Sequence, residues 1–167
     1  MARAALDQCR FEKILFMPTG NPHYRTPATA SGEHRVAMLR LALEDHGACE
    51  VDARELAPGA SGYTLDTLKE LRLEYGAGRS FCLLMGADQY AKLDTWHRPD
   101  DIRKLARIAV FARPEWKLDD AGAKRIAFEP MHISASDIRA RVARGADISA
   151  LVPPAVANYI AEHRLYA

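Results

Sequence analysis

The sequence has no apolar run approaching the ~18 residues that a membrane-crossing helix needs, and no stretch with the pattern of a secretory h-region. Cysteine is scarce. Cys9, Cys49 and Cys82 are an odd count without CxxC spacing, which argues against both a disulfide framework and a zinc cage. Reduced, mostly buried thiols in a cytoplasmic protein are expected instead. Net charge is nearly absent too: 23 Lys and Arg against 22 Asp and Glu leave a formal +1. That excludes a broad basic field for nucleic acid, so any anion site must be local. No internal repeat or low-complexity tract is visible. What is there is ordinary for a globular domain: 167 residues, 49% hydrophobic and 27% charged, enough for one domain with a substantial core.

Along the chain, strand and helix signals alternate. Met1 to Cys9 reads as part of a helix, and Ile14 to Met17 is a short apolar run broken by Pro18-Thr19-Gly20-Asn21-Pro22. A helix is expected from Gly32 to about His46, with Val36, Leu39, Ala42 and Leu43 at core-facing spacing. Glu50 to Asp52 is expected as a short strand. Leu65, Leu68 and Leu71 mark a helix ending near Gly76. Phe81 to Met85, closing at Gly86, and Ile108 to Phe111 are compact apolar runs of the kind found in buried parallel strands. Pro99 and Pro154 suit the first turns of two further helices. The order points to an α/β fold, a parallel sheet covered by helices on both faces. Ligands of such sheets gather at the C-terminal strand ends.

The chemistry-bearing residues fall at those ends. Ile133-Ser134-Ala135-Ser136-Asp137-Ile138-Arg139 reads as a helix start, with Ser134 at the cap and Asp137 at capping-box spacing. Two hydroxyls, free N–H groups, a positive helix end and a guanidinium form a seat for phosphate. Read alone, the stretch fits better as a Ser cap, a buried Ile and a solvated Arg. Gly86-Ala87-Asp88 closes a strand, where Gly admits a ligand to the backbone and Asp suits ribose hydroxyls, or Asp88 simply caps a helix. Trp96 could stack on a flat heterocycle or pack in the core. Ser61-Gly62-Tyr63-Thr64 precedes a helix that Thr64 could cap. His23 and Arg25 lie in a Pro-rich loop, where they could grip phosphate or be plain loop polarity. Arg113 precedes the turn-forming Pro114.

Together these segments resemble the bacterial nicotinate-mononucleotide adenylyltransferases of the nucleotidylyltransferase superfamily. The resemblance runs from Phe16-Met17-Pro18-Thr19-Gly20-Asn21-Pro22-His23 through Glu33 to Leu39, Ser61 to Leu68 and Gly86-Ala87-Asp88 to Trp96. It continues over Phe111-Ala112-Arg113-Pro114 and Ile133 to Arg139. It implies a Rossmann-like fold and AMP transfer from ATP to nicotinate mononucleotide, releasing pyrophosphate in NAD synthesis, with Mg2+ required. By the resemblance, Trp96 stacks on the nicotinate ring, and amides around Thr64 and His97 recognise its carboxylate, beside Tyr63. Gly86 and Asp88 meet the nucleotide ribose, and Arg113 lies near the adenylate. Ser134, Ser136 and Arg139 hold ATP phosphates, with Ile133 among the nucleotide-binding residues, and His23 and Arg25 approach from their loop. The partners implied are these small molecules, with neither nucleic acid nor membrane.

The family pattern opens with a strand, a Gly-Gly-Thr-Phe-Asp-Pro-type loop and a His-x-Gly-His motif. Here Met1-Ala2-Arg3-Ala4-Ala5-Leu6 resembles the rest of the helix after that motif. The expectation is a single nucleotidylyltransferase domain over 1–167, N-terminally incomplete, lacking its first central strand and the catalytic His pair. Two other readings share this chain. One is a non-catalytic nucleotide-binding remnant. The other is a sister enzyme with another acceptor such as phosphopantetheine, against which Ser61 to Leu68 and Trp96 argue.

Overall fold

The computed structural model describes residues 1–20, 28–112, 122–129 and 133–167. They form two compact units: Met1–Glu12 with Ser61–Pro130, and Lys13–Ala60 with Met131–Ala167.

The first unit is built on a parallel sheet of β3 (Phe81–Gly86), β4 (Ala106–Ala112) and β5 (Ala123–Ala127), in that order. The apolar runs Phe81–Met85 and Ile108–Phe111 form the body of β3 and β4, whose side chains are buried or half-buried there, while Arg107 near the start of β4 is exposed. Leu83 pairs with Ile108 and Ile108 with Ala123. On one face, Met85, Ala106, Ile108 and Val110 pack with Leu65 and Leu68 of α3 (Thr64–Tyr75) and Ile102 of α5 (Pro99–Leu105). This is the largest buried cluster described. Pro99 opens α5 as expected, and Gly76 closes α3, its N–H donating to Arg72 O at 3.1 Å. The short α4 (Ala87–Tyr90) follows β3 directly. Across the sheet, α1 (Ala2–Cys9) buries Ala5 and is pinned to the edge strand β5 by Gln8. The Gln8 amide donates to Ala127 O at 2.6 Å and accepts from Ala127 N at 2.9 Å. These bonds occupy backbone groups that an edge strand otherwise leaves open.

The second unit pairs β1 (Ile14–Phe16) with β2 (Cys49–Val51) in parallel, Ile14 opposite Cys49. The second strand thus begins one residue earlier than Glu50, because the buried Cys49 belongs to the ladder. Just past it, Asp52 clasps Arg54 in a 3-10 turn over Arg54–Leu56, Oδ2 to Nε at 2.7 Å. A Cβ on Gly20 would collide with the Glu55 carbonyl oxygen, so the chain leaving β1 can pass this turn only as glycine. α2 runs Gly32–Leu43 and stops short of His46, whose N–H folds back onto Leu43 O at 2.8 Å. Val36 is its buried residue, while Met38, Leu41 and Ala42 pack toward Ile148, Val156 and Ile160. Leu39 and Leu43 are only half-buried. The expected single stripe is therefore a helix with apolar contacts around much of its circumference. α6 (Ala135–Ala143) contributes Ile138 and Val142 to the same cluster, and α7 (Pro154–Glu162) supplies its centre.

Candidate active site

In the first unit, the acceptor-side residues lie at the start of α3 and in the turn before α5. Gly62 has φ 72°, a left-handed conformation open to glycine, and it swings Tyr63 to the head of α3. The cap of α3 is Tyr63 rather than Thr64, which is the first helical residue. Ser61 takes the capping work: its Oγ accepts from Tyr63 N at 3.2 Å. Hydrogen bonds from the Ser61 hydroxyl and then Lys69 hold the Asp66 carboxyl below the usual carboxylate value. Nothing among the described residues accepts from the Thr64 N–H, which sits at the positive end of a 12-residue helix.

The Tyr63 ring lies against His97, centroids 4.5 Å apart and planes 31° from parallel. Both residues are exposed, and the His97 N–H likewise meets no described acceptor. Arg98, the next residue, has φ 53°. A non-glycine residue held left-handed is strained, and the strain sets the corner that turns His97 back toward α3. Arg98 belongs to no motif; its only sequence signal is the position before Pro99, where the right-handed helical region is disfavoured. Trp96 is half-buried and packs against the Leu65, Leu68 and Met85 cluster, so part of its ring serves the core. At the end of β3, Gly86 caps α4 and Asp88 is its second residue, not its cap. A Cβ on Gly86 would meet Asp88 Oδ1 at 2.7 Å, so the carboxylate lies directly over the glycine. Gln89 Nε2 donates to Asp88 Oδ2 at 2.8 Å, leaving the exposed group restrained and accessible.

In the second unit, α6 begins as expected at a Ser134 cap, whose Oγ accepts from Asp137 N at 3.1 Å. The reciprocal arm of a capping box is missing, because the Asp137 carboxylate accepts from Arg141 Nε at 2.8 Å instead. The N–H groups of Ala135 and Ser136 have no acceptor among the described residues, and Ile133, Ser134 and Ser136 are exposed. Arg139 donates to Ser136 Oγ at 3.3 Å. Its charge and that of Arg35 both bear on the Tyr166 hydroxyl; burial pushes that phenol up, and the two guanidiniums oppose the rise. Arg35 also donates to Thr19 O at 2.7 Å, with its Nε buried and without a partner among the described residues. Two free amides, two hydroxyls and Arg139 together suit an oxyanion. His23, Arg25 and Arg113 lie outside the described residues.

Among the described residues no three His, Cys, Asp or Glu side chains gather as a metal cage, and no helix is long and apolar enough to cross a membrane.

The comparisons agree on one family. A model described as Cytidylyltransferase-like matches residues 1–141. A probable nicotinate-nucleotide adenylyltransferase of Laribacter hongkongensis is 40% identical, covering 99% of this chain and 86% of the relative. One from Bordetella petrii is 38% identical, covering 99% and 89%. Among solved structures, the Plasmodium falciparum nicotinic acid mononucleotide adenylyltransferase complexed with NaAD matches with a TM-score of 0.78. It shares 16% identity and covers 99% of this chain and 89% of that one, a likeness of fold.

Proposed function

The chain belongs to the cytidylyltransferase-like family and, within it, to the nicotinate-nucleotide adenylyltransferases, and from that premise we propose that it converts nicotinate mononucleotide and ATP to nicotinate adenine dinucleotide and pyrophosphate. A phosphate oxygen of the mononucleotide attacks the α-phosphorus of ATP. The bond from that phosphorus to the bridging oxygen breaks, and its electron pair leaves with pyrophosphate. No covalent enzyme intermediate is needed, so the residues act by alignment and charge stabilisation.

In this reading the free Thr64 and His97 amides receive the pyridine carboxylate, between Tyr63 and the exposed part of Trp96. Gly86 and Asp88 meet the ribose. The α6 amides, Ser134, Ser136 and Arg139 hold ATP phosphates, and Ile133 borders the nucleotide. His23, Arg25 and Arg113 are assigned on sequence resemblance alone. The reading treats 1–167 as one nucleotidylyltransferase domain acting on small molecules in the cytoplasm. Mg2+ accompanies ATP; the described residues do not fit a protein-built magnesium cage, and no step here is routed through the ion.

The observation that carries the reading is the 40% identity sustained over 99% of the chain. Product formation from ATP and nicotinate mononucleotide tests it. Two proteins are compared: Met1–Ala167, and the same chain preceded by a relative's segment bearing His-x-Gly-His. The expected result is dinucleotide binding by both and turnover by the second. If the second protein makes no dinucleotide, or prefers phosphopantetheine as acceptor, the reading is wrong.

A further inference from the structure

At the N-terminal ends of β3, β4 and β5, away from Gly86 and Asp88, the first unit holds a cavity of ≈ 520 Å3. Cys82 and Gly86 are four residues apart on one strand, which separates the cavity wall from the ribose-side turn by about 13 Å. Arg103, Arg107, Lys124, Cys9, Cys82 and Phe11 line it, and no carboxylate does among the described residues. Arg103 is already engaged, donating to Asp94 Oδ1 at 2.6 Å with Asp100 at 3.7 Å. Lys124 donates to the Gln8 carbonyl at 2.6 Å, a bond that fixes its ammonium without neutralising it. Arg107 forms no ion pair with any described residue. Its side chain is exposed, although its neighbours Ala106 and Ile108 on β4, the middle strand, are buried.

Strand register puts these groups on one face. Arg107 is opposite Cys82, and Lys124 is opposite Ala109, two residues along from Arg107. Burial pushes the Cys82 thiol up to about 11, Cys9 adds to the rise, and Arg107 and Lys124 pull against it. All four side chains therefore act on one small volume. Arg107 and Lys124, both solvent-exposed cations, border the cavity beside the half-buried Phe11 ring, a combination that suits an anion carrying an apolar group.

We propose that this cavity binds a phosphorylated small molecule, its phosphate held by Arg107 and Lys124 and its apolar part against Phe11. The site is separate from the adenylyl-transfer residues and does not depend on that assignment. Free phosphate and an organic phosphate monoester share the recognising chemistry, and the apolar wall favours the monoester.

Thiol labelling locates the event, because Cys9 and Cys82 line the cavity while the buried Cys49 belongs to the other unit. The purified chain is alkylated with N-ethylmaleimide, and the rate at each cysteine is followed by peptide mass. Phenyl phosphate at roughly tenfold excess over its Kd is expected to slow Cys9 labelling by about tenfold, with inorganic phosphate weaker at equal concentration. R107Q and K124Q, which remove the charge but keep a polar side chain at an exposed position, are expected to abolish that protection while leaving the unliganded melting temperature within a degree or so. Protection that survives both substitutions overturns the proposal. So does protection matched by chloride at equal ionic strength, or protection spread equally to Cys49, which marks general stabilisation. Phosphate protecting better than phenyl phosphate overturns the apolar subsite.

Discussion

Tyr63 and His97 face each other across the head of α3, ring centroids 4.5 Å apart and planes 31° from parallel. The contact joins two segments that lie far apart in sequence, and it places the free Thr64 and His97 amides on the same corner of the fold. An aromatic pair of this kind contributes about 0.5–1.5 kcal/mol. Tyr63→Ala is expected to raise the KM for nicotinate mononucleotide by roughly three- to tenfold with the KM for ATP unchanged, and Tyr63→Phe to behave as wild type. In a double-mutant cycle with His97→Ala, the two losses are expected to be less than additive. Strict additivity in acceptor binding refutes the pair as a unit of recognition.

Trp96 has two employments, and substitutions can separate them. Its packing on Leu65, Leu68 and Met85 means that Trp96→Ala opens the core as well as the site. Loss of a half-buried indole is expected to destabilise by about 1–3 kcal/mol, below the range for a fully buried one. Trp96→Phe keeps an aromatic face and most of the packing. It is expected to restore stability to near wild type while leaving acceptor KM only modestly raised. If Trp96→Ala melts early yet binds the acceptor normally, the residue is core alone.

How much the sequence revealed follows the physics of each element. β3 and β4 were legible from the apolar runs Phe81–Met85 and Ile108–Phe111, although Arg107 hid the start of β4. β5 was not, since Lys124 and Arg125 interrupt it and Ile126 is its one buried side chain. An edge strand needs little hydrophobicity, and here its backbone is satisfied by the Gln8 amide from 119 residues away, which no local pattern announces. Ser134 was readable as a cap because a helix start is a local event. The cap at Tyr63 was misplaced because Gly62 allows Ser61 to reach over it. The Tyr63–His97 contact and the Arg98 corner depend on tertiary packing, so only the chemistry of their residue types was visible beforehand.

The Asp52–Arg54 clasp beside β2 predicts a pH dependence. Burial pushes the Asp52 carboxyl up, but the Arg54 side-chain and backbone hydrogen bonds and its charge outweigh that, leaving it below the ordinary 3.8. A carboxyl lowered on folding stabilises the folded chain above its unfolded value. That contribution fades as pH falls through the lowered folded value. Arg54→Ala is expected to cost about 1–3 kcal/mol near neutrality, the loss of hydrogen bonds to a charged group. Below about pH 4 the gap between wild type and Asp52→Asn is expected to close, read from denaturant midpoints across pH. A gap that widens on acidification reverses the assigned sign.

Arg139 decides whether the start of α6 is a phosphate seat. It leaves Ile138 and Val142 to pack with Ile148, Val156 and Ile160, and its own bond goes to Ser136 Oγ on the exposed side. Removing it therefore deletes charge without opening the core. At about 1.5–3 kcal/mol for a charge-assisted hydrogen bond, Arg139→Ala is expected to lower kcat/KM for ATP by roughly tenfold or more. The KM for nicotinate mononucleotide and the melting temperature should hardly move. Arg139→Lys keeps the charge but not the forked geometry, so it is expected to recover only part of the loss. Ser134→Ala tests the opposite balance. Its Oγ is committed to the Asp137 amide, so the expected loss is mainly about 1 kcal/mol of helix capping, with a smaller kinetic effect than Arg139→Ala. If Arg139→Ala melts early and keeps normal ATP kinetics while Ser134→Ala loses turnover, the seat is built on the cap hydroxyl and the guanidinium is structural.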